Sequence, residues 1–278
     1  MIPYTYSLHK IEDASSFGFD PDAYSRFKFG DDLAASAFGK ALADGFINYD
    51  LAENIFSDQI VVISSPYSFI PTATFAMKNY FVSHLNRWLI DHGHLAVQET
   101  KVHRTVSYKE DYGELSAEQR INLIGNDSFH IDREFLTGKT LLFLDDIRIT
   151  GSHEQMILKM AKAYGLKNQI YMLYFAELVN KKIHPNIENF LNYHQVKSIF
   201  NLEEIIESGH FCFNTRLVKY ILNTAREQFE LFIERRSNDF INKLYDLSLG
   251  NNYHTIDAYA ENLYLIKNYI KNNNYKLI

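Results

Sequence analysis

Two adjacent carboxylates, Asp145 and Asp146, follow the apolar run Thr140-Leu141-Leu142-Phe143-Leu144 and precede Ile147-Arg148-Ile149-Thr150-Gly151-Ser152-His153. Neighbouring carboxylates suit a vicinal diol, because each hydroxyl needs an acceptor and the two oxygens lie close together. Gly151 permits close backbone approach, and the unsatisfied amides that open a following helix can hold a phosphate. Thr150 and Ser152 add hydroxyl donors, so one loop can grip the 2′ and 3′ hydroxyls and the 5-phosphate of a ribose 5-phosphate. Two other readings stand beside this one, the first of which needs no ligand. Ser152 and Gln155 fit a capping box, and paired acids at a strand end also serve metal-dependent phosphoryl transfer.

Such a loop needs a strand before it and a helix after it. Residues 140–144 read as a buried strand, 145–153 as the loop, and about 154–164 as a helix with Met156, Ile157, Met160 and Ala161 on one face and Gly165 as its stop. Ile60-Val61-Val62-Ile63 and Ile170-Tyr171-Met172-Leu173-Tyr174-Phe175 are further strands of the continuous apolar kind covered on both faces. Leu95-Ala96-Val97 and Val196-Lys197-Ser198-Ile199 read as weaker strands, and about 72–90 as a helix. Strands alternating with helices predict an α/β fold with a parallel sheet. From Leu202 onward the pattern is helical, over 217–233, 240–247 and 256–270. The expected division is an α/β domain over 1–200, whose first 58 residues form a hood, and a helical C-terminal subdomain over 201–278.

The chain has 278 residues, 46% of them apolar, and no uninterrupted apolar run long enough to span a membrane. Its start lacks the basic and apolar regions of a secretion signal, and one cysteine, Cys212, excludes a disulfide framework and a Cys-based zinc site. The expectation is a cytoplasmic protein without a membrane partner. Cys212, between Phe211 and Phe213, reads as a small buried hydrophobe. His92, His94, His103, His130 and His153 have no partners at metal-ligand spacing. The net charge of −6 argues against nucleic acid, and all of it falls in residues 1–60, which hold four Lys or Arg against ten Asp or Glu.

Residues 141–153 resemble the phosphoribosyl-pyrophosphate signature of type I phosphoribosyltransferases: four hydrophobic residues, two acids, three residues, Thr-Gly and usually a closing Thr. Here the closing position is His153. Arg104-Thr105, the stretch Leu115-Ser116-Ala117-Glu118-Gln119-Arg120-Ile121-Asn122 and Gly138-Lys139-Thr140 are similar to the competence-protein-F type of that family. Phe27-Lys28-Phe29-Gly30-Asp31 resembles a motif of orotate phosphoribosyltransferases. The resemblance implies a parallel sheet of about five strands with flanking helices and a hood. It also implies Mg²⁺, carried mainly on the substrate and water, and substitution at C1 of the ribose with release of pyrophosphate.

Carried over by position, Asp145 and Asp146 face the ribose hydroxyls and Ile149, Thr150, Gly151, Ser152 and His153 wrap the 5-phosphate. Ser64, Ser65, Pro66 and Tyr67, with Thr72 and Thr74 nearby, occupy the place of the pyrophosphate loop. Arg104 and Lys109 are candidates to close over the leaving group, and Lys28 in the hood is a candidate for acceptor contact. The expected partners are small molecules, phosphoribosyl pyrophosphate and an acceptor, and a homodimer is compatible with the pattern. Acidity around Tyr24–Asp32 favours a neutral or cationic acceptor unless Lys28 or Arg26 faces the site. Two other functions compete: a non-catalytic module that binds phosphoribosyl pyrophosphate or a nucleotide, and a hydrolase of phosphorylated nucleosides.

Overall fold

A computed structural model describes residues 3–49, 58–104 and 129–274. Among these residues seven strands form: β1 (Tyr4–Ile11), β2 (Ile60–Ser64), β3 (Gln98–Thr100), β4 (His103–Arg104), β5 (Phe129–His130), β6 (Thr140–Arg148) and β7 (Ile170–Leu178). The helices are α1 (Pro21–Lys28), α2 (Asp32–Ile47), α3 (Ala73–Asp91), α4 (Arg133–Leu136), α5 (Ser152–Ala163) and α6 (Ile187–Asn192). A helical tail follows: α7 (Leu202–Glu207), α8 (Thr215–Leu222), α9 (Arg226–Ile233), α10 (Asn238–Gly250) and α11 (Asp257–Asn274).

The main sheet has the order β1-β7-β6-β2-β3, every pairing parallel, and β4 and β5 make a separate antiparallel pair. Every residue of β2 and β7 is buried, as parallel strands covered on both faces must be. Strand alternation divides their side chains between two layers. Val62, Leu142, Leu144, Leu173 and Phe175 pack on α2 and α3 through Phe38, Leu42, Phe46, Met77, Phe81 and Leu85. On the opposite face Val61, Ile63, Leu141, Phe143 and Met172 pack on Ile157, Met160 and Ala161 of α5. The tail forms a further core of its own, into which two distant residues, Phe29 and Ile70, also insert.

The α/β pattern and the parallel sheet agree with the sequence, and several details differ. Residues 4–11, assigned above to the hood, form an edge strand parallel to β7, with Tyr4 stacked on Tyr171 at 4.8 Å. The helices α1 and α2 then lie on the sheet face. The weak strand moves from residues 95–97 to Gln98–Thr100, while Leu95 is exposed. Residues 196–199 make no strand; Val196 and Ile199 enter the tail core, and Ser198 and Asn201 form a capping box on a 3₁₀ turn. The helix expected over 217–233 is two helices, α8 and α9. The amide of buried Asn262 donates to the carbonyls of Leu222 and Thr224 at 2.9 and 2.7 Å, satisfying groups released at the break. Cys212 is exposed rather than buried.

Candidate ligand site

The order of the sheet decides where a ligand can enter. From β2 the chain moves outward through α3 to β3, then returns to the other side of β2 as β6 and continues through α5 to β7. The neighbouring strands β2 and β6 thus send their following helices to opposite faces, which opens a crevice at their carboxyl ends. Pairing of β2 with β6 stops at Ser64 and Leu144, whereas pairing of β6 with β7 continues through Asp145, Ile147 and Arg148. The strand β6 therefore extends four residues beyond the apolar run, correcting the loop expected from Asp145 onward. One carboxylate pair stands on a strand edge that has lost its neighbour on one side.

Because they are consecutive on a strand, Asp145 and Asp146 leave by opposite faces and meet different partners. Asp145 accepts from Ser65 Oγ at 2.6 Å and pairs with His153 Nδ1 at 2.5 Å. Asp146 accepts from Tyr24 Oη at 2.5 Å, from Thr74 Oγ1 at 3.1 Å and from Lys28 Nζ. Thr74 also approaches Asp145 Oδ1 at 3.4 Å, so this first-turn hydroxyl of α3 stands between the two acids. Burial alone would raise the Asp145 carboxyl; His153, Ser65 and the more distant Lys28 ammonium overcome it and hold the group well below the usual carboxylate range. Burial, with Asp146 beside it, pushes the Tyr24 phenol far up, so it remains a donor.

The turn from β6 to α5 is short. Gly151 is the N-cap, with φ 73°, a left-handed conformation that favours glycine. A Cβ there would also lie 3.3 Å from an Arg148 guanidinium nitrogen. Ser152 is the first helical residue, not a cap. Its hydroxyl lies 2.6 Å from Thr150 Oγ1, and Gly151 has no side-chain cap to offer, so the Ser152–Gln155 capping box does not form. Arg148 runs beneath the turn to Glu154 and Glu177, both at 2.7 Å, and Glu177 is further held by Ser7 at 2.8 Å and Lys10 at 2.5 Å. The edge strand β1 thus braces the turn.

Across the crevice, Ser64 is buried at the end of β2 and Ser65 reaches Asp145. Tyr67 packs edge-on against Phe75 and under the Lys101 ammonium, which lies 3.7 Å from its ring centre. Pro66 lines a small apolar recess with Phe143, Met156 and Met160. Thr72 opens α3 without a side-chain cap bond, and its buried Oγ1 finds no partner among the described residues. Phe75 N turns back to Thr72 O at 3.1 Å, and the amides of Ala73 and Thr74 with the orphaned hydroxyl beside them form a donor-rich rim.

The structure brings together Asp145, Asp146, Ser65, His153 and Lys28, with Thr150, Gly151 and Ser152 on the adjoining turn. Arg104 lies in β4, its side chain outside the described residues, and Lys109 also lies outside them. Sequence reasoning did not single out Tyr24, Arg148 or Glu177. The first belongs to the segment around Lys28, and its burial offered no local signal; the other two are ordinary charged strand residues until β1 pairs beside them.

A family model described as PRTase ComF-like matches residues 2–266. The chain belongs to this phosphoribosyltransferase family. The ComF-like match spans the edge strand, both crevice loops and most of the helical tail, so all belong to one family unit. The fold is that of type I phosphoribosyltransferases, a five-stranded parallel sheet with flanking helices, here with a helical C-terminal region. Among solved structures, a hypoxanthine phosphoribosyltransferase from Staphylococcus aureus is similar to this chain at 9% identity and a TM-score of 0.31, covering 53% of this chain and 74% of that one. No curated protein matches. Among the described residues no helix is long and apolar enough to cross a membrane.

Proposed function

We propose that this ComF-like chain binds phosphoribosyl pyrophosphate and transfers its ribose 5-phosphate to a nitrogenous acceptor, releasing pyrophosphate. The observation that carries the reading is the crevice between β2 and β6. The carboxylate edge of β6, the Gly151 turn and the donor-rich start of α3 converge on it from three directions. Asp145, the more open acid with a side chain 17% exposed, accepts from the ribose hydroxyls; Asp146, at 7%, is the buried anchor beneath it. The α5 amides with the hydroxyls of Thr150 and Ser152 hold the 5-phosphate. Ser65, Thr72 and the first turn of α3 face the pyrophosphate.

In the reaction, the bond between C1 and the pyrophosphate oxygen breaks and its electron pair departs with pyrophosphate. The acceptor nitrogen gives its lone pair to C1 and loses its proton to solvent or a basic group. The transition state is oxocarbenium-like, as in glycoside cleavage, so positioning and charge compensation are the protein's contribution.

The two carboxylates suit a hard divalent ion, which favours oxygen ligands and commonly takes one or two carboxylates together with substrate phosphates. Among the described residues no cluster of three or more His, Cys, Asp or Glu forms an ion cage. Mg²⁺ carried on the diphosphate would neutralise charge on the leaving group.

The contact of His153 with Asp145 favours a second reading, a sensor that binds the same ligand without transferring it. A pyrophosphate-release screen over purines, pyrimidines, pyridine carboxylates and amines separates the two. Release with one acceptor class, lost in Asp145→Asn, supports transfer. Ligand binding without release for any acceptor supports the sensor.

A further inference from the structure

The tail core runs from Val196 to Ile266 except for two intruders, Phe29 and Ile70, each with no exposed surface. Phe29 follows Lys28, and Ile70 sits in the loop that joins Ser65 to α3. Both crevice elements from outside the β6–α5 turn are therefore nailed into the tail.

Lys101 Nζ donates to Ser68 O at 2.6 Å, and beyond that point the Phe69–Pro71 stretch is held by tail groups. Asn251 Oδ1 accepts from both Phe69 N and Ile70 N, at 2.9 and 3.1 Å, while its Nδ2 donates to Tyr253 Oη at 2.8 Å. Asn251 is 5% exposed and Tyr253 fully buried, and the two backbone N–H donors require the amide oxygen to face the loop, leaving the nitrogen to the Tyr253 hydroxyl. Thr215 Oγ1 donates to Ile70 O at 2.7 Å, and Thr215 N donates to Pro71 O at 2.8 Å. Gly250 allows the Phe69 ring to lie flush, because a Cβ there would fall 2.3 Å from Phe69 Cδ1. Upstream of these anchors stands Ser65 against Asp145; downstream stand Thr72 and Thr74 at the start of α3. A second limb ties Asn214 Nδ2 to Lys28 O at 3.1 Å.

We infer that Asn251 and Thr215 of the helical tail are positioning residues for the diphosphate end of the ligand, acting through the Ser65–Thr74 segment. The inference rests on the proposed phosphoribosyl-pyrophosphate site. Removing Asn251 leaves two backbone amides without an acceptor, that of fully buried Ile70 among them, and a loop with such groups shifts to recover water. That shift moves Ser65 and the α3 start. It leaves the β6–α5 turn in place, since the side chains of Arg148, Thr150, Ser152 and His153 bond to one another, Asp145, Glu154 and Glu177.

The test is calorimetric titration of the full chain with phosphoribosyl pyrophosphate and Mg²⁺, and with ribose 5-phosphate, which lacks the diphosphate. Asn251→Ala is expected to weaken phosphoribosyl pyrophosphate at least tenfold while changing ribose 5-phosphate less than twofold. Asn251→Asp keeps an acceptor for both amides and a second oxygen for the Tyr253 hydroxyl, and is expected to restore most of the affinity. Should Asn251→Ala fail to fold, Thr215→Val shows the same split at about threefold. Equal weakening of both ligands, or no change in either, overturns the inference while leaving the proposed site standing. A wild-type chain that binds neither ligand overturns both.

Discussion

The β6–α5 turn and the loop after β2 face each other across one crevice, yet they are held in opposite ways. The turn is held chiefly by near neighbours: Thr150 bonds Ser152, His153 bonds Asp145, and Arg148 is clasped by Glu154 a few residues on, with Glu177 of β7 and, through it, β1 as an outer brace. The loop is held at Ser65 and Ser68 by Asp145 and Lys101, and at Ile70 by Asn251 and Thr215, separated from it in sequence by 181 and 145 residues. A ligand end gripped by the turn depends on local chemistry. One gripped by the loop depends on the tail having folded and docked. The difference explains why the half proposed to hold phosphate is readable from thirteen residues and the other half is not.

The largest effect is expected where the two regions meet. Asp146 belongs to β6, but its partners Lys28 and Tyr24 come from α1, anchored by the tail through Phe29. Asp146→Ala leaves a buried ammonium and a buried phenol facing an empty acceptor position, and the cost is about 3–5 kcal/mol. Urea unfolding measures it, and adding Lys28→Met is expected to recover part of the loss. A neutral result would place Asp146 outside the buried network.

A smaller effect tests the turn by itself. Gly151→Ala forces a side chain into the left-handed region, at about 1–2 kcal/mol, with the Arg148 guanidinium close by. Unfolding midpoints read the cost, and ribose 5-phosphate binding is expected to fall more than the stability does.

The smallest effect is a change in acid sensitivity. The Asp145 carboxyl is held low in the folded chain by His153 and Ser65, against the opposing push of burial. Its stabilisation is therefore complete above the ordinary carboxylate range, about pH 4, and is lost as pH falls through the depressed folded value. Asp145→Asn removes that dependence. The stability difference between wild type and variant should shrink on acidification below about pH 4 in denaturant titrations. A difference that stays constant to low pH would detach Asp145 from its partners.

Legibility in the sequence followed the same division. The buried strands, the helix at 73–91 and the β6–α5 unit announce themselves through continuous apolar runs and a single helical stripe. The edge strand β1 was hidden because Ser7, His9 and Lys10 break its apolar pattern, and only β7 beside it supplies the missing hydrogen bonds. The length of β6 was hidden because three of its last four residues are charged and are held in the strand by pairing with β7, with Ile147 alone entering the core. His153, which departs from the expected hydroxyl, acquires meaning once strand geometry turns Asp145 toward α5. Asn214, Thr215 and Asn251 gave no signal, since a polar residue in a helical tail is ordinarily solvated, whereas Asn214 and Asn251 are buried and Thr215 half-buried against segments more than a hundred residues away.

The central claim is that the carboxylate edge of β6 and the turn after it bind phosphoribosyl pyrophosphate. Calorimetry with Mg²⁺ and that ligand tests it most directly on the wild type and on the double variant Asp145→Asn with Asp146→Asn, after circular dichroism has established that the variant is folded. The account predicts saturable binding to the wild type and at least a tenfold loss in the folded variant, about 1.4 kcal/mol. No binding to the wild type, or equal binding to both, contradicts it.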